Sequence, residues 1–231
     1  MEEVDERLIV PIFPLPSAVL FPETILPLHI FEDRYLAMVR DAAAGDRRIA
    51  ISLLHPGFEE EYEGQPPFHR IGTIGRIEQL EELPNGRYNL HLVGEQRVQF
   101  DEIPSPTPYR LVRTEPLAET LIEANDDETD SDERLRRAKV DLLASHAFLL
   151  HQIAGDEPGA SLAANDQLPF RAAVNGTCAN LPVEAPVRQA LLEIDDLLER
   201  QQQAQQLINE VLAKVVALKE SDTSTDESRL N

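Results

Sequence analysis

The sequence predicts an α+β protein, with a β-rich first half forming a small barrel or folded sheet around one inserted helix. A C-terminal bundle of helices follows, and its last member is long. Three observations carry this prediction. Prolines at 11, 14, 16, 22 and 27 exclude a helix early on, and period-two apolar runs flank Asn85-Gly86. Apolar residues recur at spacings of three and four in the last hundred residues. Between the halves lies an acidic stretch. With 231 residues and 42% of them apolar, the chain has material for one large or two small cores.

The formal net charge of −21, from 21 basic and 42 acidic residues, is unevenly spread. Residues 1–114 carry −8, residues 115–133 carry −9 with no basic side chain, and residues 134–231 carry −4. The middle stretch has too little apolar surface to offset its ordering entropy, so it reads as a linker. The resulting expectation is a β subdomain over 1–117, an acidic linker over 118–132, a helical subdomain over 133–220 and a disordered tail over 221–231. Bulk nucleic-acid and anionic-membrane binding are disfavoured by the sign of the charge. The acidic N-terminus and the lack of an apolar run near the roughly 18 residues that span a bilayer point to the cytoplasm.

The elements follow in order. Residues 8–28 are extended and kinked, with any strand there confined to an edge or interrupted. Residues 32–43 place Tyr35, Met38, Val39 and Ala42 at helical spacing, with Glu32 and Asp33 in the first turn and Gly45 just past the end. Residues 48–54 read as a strand, and residues 55–69 as a loop exposing Phe58, Tyr62 and Phe68. A hairpin turns at Asn85-Gly86. On its second arm Tyr88, Leu90, Leu92, Val98 and Phe100 face inward, and His91, Glu95, Arg97 and Gln99 face out. Residues 109–114 supply one more strand.

Three blocks carry a resemblance. Leu8-Ile9-Val10-Pro11-Ile12-Phe13-Pro14-Leu15-Pro16 opens the first, which continues through Leu26-Pro27-Leu28-His29-Ile30-Phe31-Glu32 and Arg34-Tyr35. Gly72-Thr73-Ile74-Gly75-Arg76-Ile77 and residues 86–97, ending Gly94-Glu95-Gln96-Arg97, complete the set. Together they resemble the Lon protease N-terminal domain family, in a stand-alone form without the ATPase and protease domains. The resemblance implies a PUA-like β-barrel followed by a helical subdomain, a polypeptide-binding role, and a mainly structural part for His29, Phe31, Glu32, Arg34 and Tyr35. Leu181, Gln189, Leu192-Glu193 and Arg200 extend it more loosely into the second half.

In that half, Asp130 and Glu133 resemble a capping box ahead of a helix whose stripe runs through Leu135, Ala138, Leu142, His146, Leu149 and Ile153. A short helix is expected over 169–179. Residues 186–219 keep a four-three register that Gln201 and Gln205 interrupt. Such a helix is about 50 Å long, against roughly 35 Å for a compact domain of this size, so it breaks near Gln201 or projects. Its stripe packs in the bundle core or meets a partner helix, as in a homodimer.

No phosphate-binding loop occurs, and no cofactor is implied. His146 and His151 lie about 140° apart around a helix, unsuited to sharing a metal. Cys178, the single cysteine, reads as a small buried hydrophobe. The favoured function is a non-catalytic module for unfolded or extended polypeptide, acting as substrate adaptor or modulator of a protease or chaperone machine. Phe58, Tyr62 and Phe68 are its candidate contacts, unless those rings pin their loop to the barrel. Strand edges offer a second mode, although the prolines protect part of them. The alternative is RNA binding by an arginine patch at Arg34, Arg40, Arg47 and Arg48. An enzyme of another type ranks third.

Overall fold

In the computed structural model, which describes residues 7–61, 64–121, 128–154 and 168–227, the first strand accommodates its prolines by changing partners. Strand β1 (Ile9–Leu15) pairs antiparallel with β6 (Leu111–Pro116) as far as Pro11, then parallel with β3 (Arg48–Leu53) from Ile12 onward. Pro11 and Pro14 therefore each have a strand partner on one side, and the missing N–H falls on the other. Strand β3 pairs with β4 (Ile71–Glu82), β4 with β5 (Tyr88–Ile103), and β5 with β6. These pairings close a ring of five strands. Strand β2 (Ile25–Ile30) lies outside it, hydrogen-bonded among the described residues to β5 alone.

The chain divides into two compact units, Met1–Thr120 with Cys178–Asp195, and Leu121–Thr177 with Asp196–Asn231. The first holds the ring and two apolar cores. Alternate side chains of β1 and β3 divide between them. Val10, Ile12 and Ala50 join Ile74, Val98, Phe100 and Val112 in one, whereas Phe13, Ile49 and Ile51 join the other with Tyr35, Met38, Val39 and Ala42 of helix α1 (Asp33–Ala44). Helix α1 fills the predicted window, its backbone closing onto Gly45. The hairpin also forms at Asn85-Gly86, with Gly86 at φ 76 and Leu83 donating to the Arg87 carbonyl at 2.8 Å.

The same unit includes helix α4 (Ala185–Glu193), which packs on β3 and β4, so residues 178–195 belong with strands rather than with the helices the sequence assigned them to. Glu193 and Asp195 cover Arg97 of β5, which is 0% exposed instead of facing out. The last strand lies two residues later than expected. Tyr109 is drawn into the α1 core, where its hydroxyl donates to Asp41 at 2.6 Å.

In the second unit α2 (Glu128–Ala154) packs against α5 (Leu197–Glu227), burying Leu142, Leu149, Ala204 and Ile208. Arg200, also buried, donates to Asn175 at 2.6 Å. Helix α3 (Phe170–Asn180) occupies the short-helix window. The long helix expected over 186–219 is two helices, and the break falls at Ile194-Asp195-Asp196, not at Gln201. Asp196 accepts the Glu199 N–H at 2.8 Å and so caps α5, while Gln201 is buried within it. Helix α2 begins inside the stretch expected as a linker, and α5 continues to Glu227, into the stretch expected as a tail. Among the described residues no helix is long and apolar enough to cross a membrane.

Candidate functional site

The opening signature separates into a buried part and an exposed part. Tyr35 is core, its ring 4.2 Å from that of Phe13. Glu32 starts α1, its carbonyl accepting the N–H groups of Tyr35 and Leu36, and its carboxylate accepts from Arg34 at 2.9 Å. Arg34 lies over the Tyr35 ring at 4.7 Å. These three residues hold the strand-to-helix junction. His29 and Phe31, by contrast, face solvent.

Phe31 is 57% exposed and Ile25, six positions earlier, 63% exposed. Between them the odd residues of β2, Pro27 and His29, are also exposed, while Leu26 and Leu28 turn toward the α1 core and are half-buried. The exposed face is ordered by contacts across the sheet. His29 Nδ1 lies 2.8 Å from Asn89 Oδ1, and Asn89 in turn donates to Glu81 at 3.3 Å. The His29 and Phe31 rings stack at 6.1 Å, and the Arg87 guanidinium sits 5.8 Å from the Phe31 ring. Two large apolar side chains thus stand on a surface whose polar neighbours are held in place, an arrangement suited to apolar contact.

The turn that delivers β2 is fixed from both sides. Thr24 Oγ1 donates to the Phe21 carbonyl at 2.7 Å, Gly94 donates to the Thr24 carbonyl at 2.9 Å, and Glu23 donates to the Gly94 carbonyl at 2.8 Å. Glu23 takes the left-handed conformation, φ 63, that this turn requires.

Of the three loop aromatics, Phe68 packs on the ring core, edge-on to Phe100 at 6.3 Å, with Arg110 stacked on it at 4.4 Å. Phe58 is half-buried at the start of a short 3-10 turn, and Tyr62 lies outside the described residues. Phe68 thus pins its loop to the sheet.

The arginines proposed as a patch each have a partner. Arg34 holds Glu32, Arg40 is hydrogen-bonded to Tyr88, and Arg47 Nε donates to the Ile77 carbonyl at 2.8 Å. Arg48 and Arg76 grip the two oxygens of Glu95 at 2.7 and 2.6 Å. Burial pushes the Glu95 carboxyl up, but the hydrogen bonds from Arg48 and Arg76 outweigh it and hold the group below its ordinary 4.5. A depressed carboxyl stabilises the fold above the ordinary value, and that contribution is lost as pH falls through the folded one. The difference in thermal stability between the native protein and Glu95→Gln is therefore expected to be full near neutrality and to shrink below about pH 4.5. Melting curves that keep a constant difference down to about pH 3 would contradict this.

A polar cluster at α4 is what sequence reasoning missed. Arg97 donates to Asp195 at 2.7 Å and to the Glu193 carbonyl at 3.3 Å, leaving Nε and Nη1 without partners among the described residues. Gln189 donates to the Ile71 carbonyl at 2.9 Å and to Glu193 at 2.8 Å, and His69 Nδ1 meets the same carboxylate at 3.1 Å. The available signal was the resemblance itself, whose third block ends on Arg97 and whose looser extension contains Gln189 and Glu193. Among the described residues no group of three or more His, Cys, Asp and Glu side chains could hold a metal, and Cys178 is buried.

Comparison with known proteins agrees with this architecture. The family described as the ATP-dependent protease La (LON) substrate-binding domain matches residues 9–210. The Lon protease of Flavobacterium johnsoniae is 27% identical over 209 residues, covering 89% of this chain and 24% of that protein. That of Trichlorobacter lovleyi is 27% identical over 213 residues, covering 92% and 25%. The chain thus spans about a quarter of the length of these relatives. The N-terminal domain of Mycobacterium avium complex Lon protease superposes with a TM-score of 0.62 at 17% identity, over 87% of this chain and 98% of that one. A Lon N-terminal domain protein from Xanthomonas campestris gives 0.55 at 23% identity, over 85% and 96%. With its three sequence blocks placed on the ring of strands, on β2 and on the start of α1, and the match running on into α5, this chain belongs to the Lon substrate-binding domain family.

Proposed function

We propose that this protein is a non-catalytic polypeptide-binding module, serving as substrate adaptor or modulator of a proteolytic or chaperone machine, and that it holds polypeptide on the β2 surface. The observation that carries the reading is the pair of exposed apolar side chains, Ile25 at the start of β2 and Phe31 one residue past its end, flanking a strand with no Asp, Glu, Lys or Arg. The family's description as a substrate-binding domain supports it. We read the closed ring as a PUA-like barrel with α1 inserted. RNA binding is the weaker alternative, because Arg34, Arg40, Arg47 and Arg48 are already engaged within the protein.

Reduced, carboxymethylated α-lactalbumin, a permanently unfolded chain, is the probe. Titration calorimetry is expected to give saturable binding without cleavage. The double variant Ile25→Ser, Phe31→Ala should weaken it about tenfold, the loss of roughly 1.4 kcal/mol typical of interface anchors. Its far-UV circular dichroism should be unchanged. Absence of binding by the native protein overturns the function, and native-like affinity of the double variant overturns the placement.

A further inference from the structure

We propose that the polypeptide binds by adding a strand to the free edge of β2, an inference that rests on the polypeptide-binding reading above and specifies its mode. Among the described residues strand β2 is hydrogen-bonded only to β5, whereas every strand of the ring has at least two partners. Pro27 sits opposite His91 in that pairing and has no N–H to give. In an antiparallel ladder hydrogen-bonded and non-hydrogen-bonded pairs alternate, so Pro27–His91 is a non-hydrogen-bonded pair, and the even residues Leu26, Leu28 and Ile30 bond to β5. The bond from Gly94 to the Thr24 carbonyl has the same parity. The N–H groups of Ile25 and His29 and the carbonyls of Ile25, Pro27 and His29 therefore point away from the sheet.

A row of unpaired backbone donors and acceptors is complementary to another extended backbone. The side chains along the edge set the rest of the partner's chemistry. One face offers Ile25 and Phe31; on the other, Leu26 and Leu28 are only half-buried although they face a core. An added strand with apolar residues on both faces would cover all four. Natural sheets usually blunt such an edge with charge, and β2 has none; its single protection is Pro27. The ligand is thus an extended apolar segment of about six residues, the length of β2 at roughly 3.3 Å per residue.

The test uses the full chain with an end-blocked hexapeptide of alternating Val and Ala, its two N-methylated versions (odd and even positions), and reduced, carboxymethylated α-lactalbumin. Expected results are saturable binding of the plain peptide, loss of at least tenfold in one N-methylated version and little change in the other. Exchange of the Ile25 and His29 amide protons should slow on binding, and Pro27→Thr, which restores a donor, should tighten binding severalfold. If the unfolded protein binds and depends on Phe31, yet neither N-methylated version is weakened and both amides exchange as before, strand addition is overturned and polypeptide binding stands. If neither probe binds, both fall. A dimer joined through β2 that excludes the peptide would also overturn the proposal.

Discussion

Asp195→Ala is expected to destabilise the protein by about 3 kcal/mol, whereas Arg97→Met, at the other end of the same ion pair, should cost about 1 kcal/mol or less. The asymmetry follows from burial. The Arg97 side chain is fully enclosed and that of Asp195 is 64% exposed. Removing the carboxylate leaves an enclosed guanidinium with only the Glu193 carbonyl at 3.3 Å, while two of its nitrogens already lack partners. Removing the guanidinium instead leaves a carboxylate that water can solvate, and methionine fills much of the vacated space. In a chain of this length about 3 kcal/mol corresponds to a fall of roughly 6–12 °C in Tm. Thermal melts of the two variants decide the matter, and an Arg97→Met protein less stable than Asp195→Ala would show that the pair is not governed by desolvation.

Gly94→Ala is expected to cost about 3 kcal/mol and to weaken polypeptide binding as well. A Cβ at this position would stand 2.2 Å from the Phe21 carbonyl oxygen and 2.9 Å from its carbon, and backbone cannot move aside as a flexible side chain can. The clash pushes on the turn through Phe21, Glu23 and Thr24 that Gly94 itself bonds, and so displaces the start of β2. Gly86→Ala is the control. It has φ +76 and nothing within 4 Å, so its cost is conformational alone, about 1 kcal/mol. Urea denaturation should separate the two, and only Gly94→Ala should reduce affinity for the unfolded probe. Equal midpoints would mean that the turn at Phe21 yields easily.

Short-range chemistry is what the linear chain makes legible. Helix α1 can be read directly because four apolar residues, two acids and a glycine define it within 14 positions. The Asn85-Gly86 hairpin and α3 are legible for the same reason. Of the candidate surface, Phe31 and His29 stand out through the resemblance, but their exposure does not, because nothing local tells an exposed ring from a buried one. Phe58, Tyr62 and Phe68 look like a free aromatic lip in sequence, yet Phe68 is tied down by Phe100 and Arg110, residues far along the chain.

The order and kind of most elements, and the family, can thus be had from the residues in line, since periodicity, turn residues and capping are properties of neighbours. Three features could emerge only on folding: the change of partners by β1 around its prolines, the enclosure of Arg97, and the break in the long helix at Asp195. They share a cause. Each depends on a partner distant in sequence, and for Arg97 that partner lies 98 positions away. A charged residue with period-two spacing reads as exposed until a carboxylate from the far end of the chain offsets the cost of burying it. The break falls at Asp195-Asp196 because the first aspartate meets that arginine and the second starts a new helix.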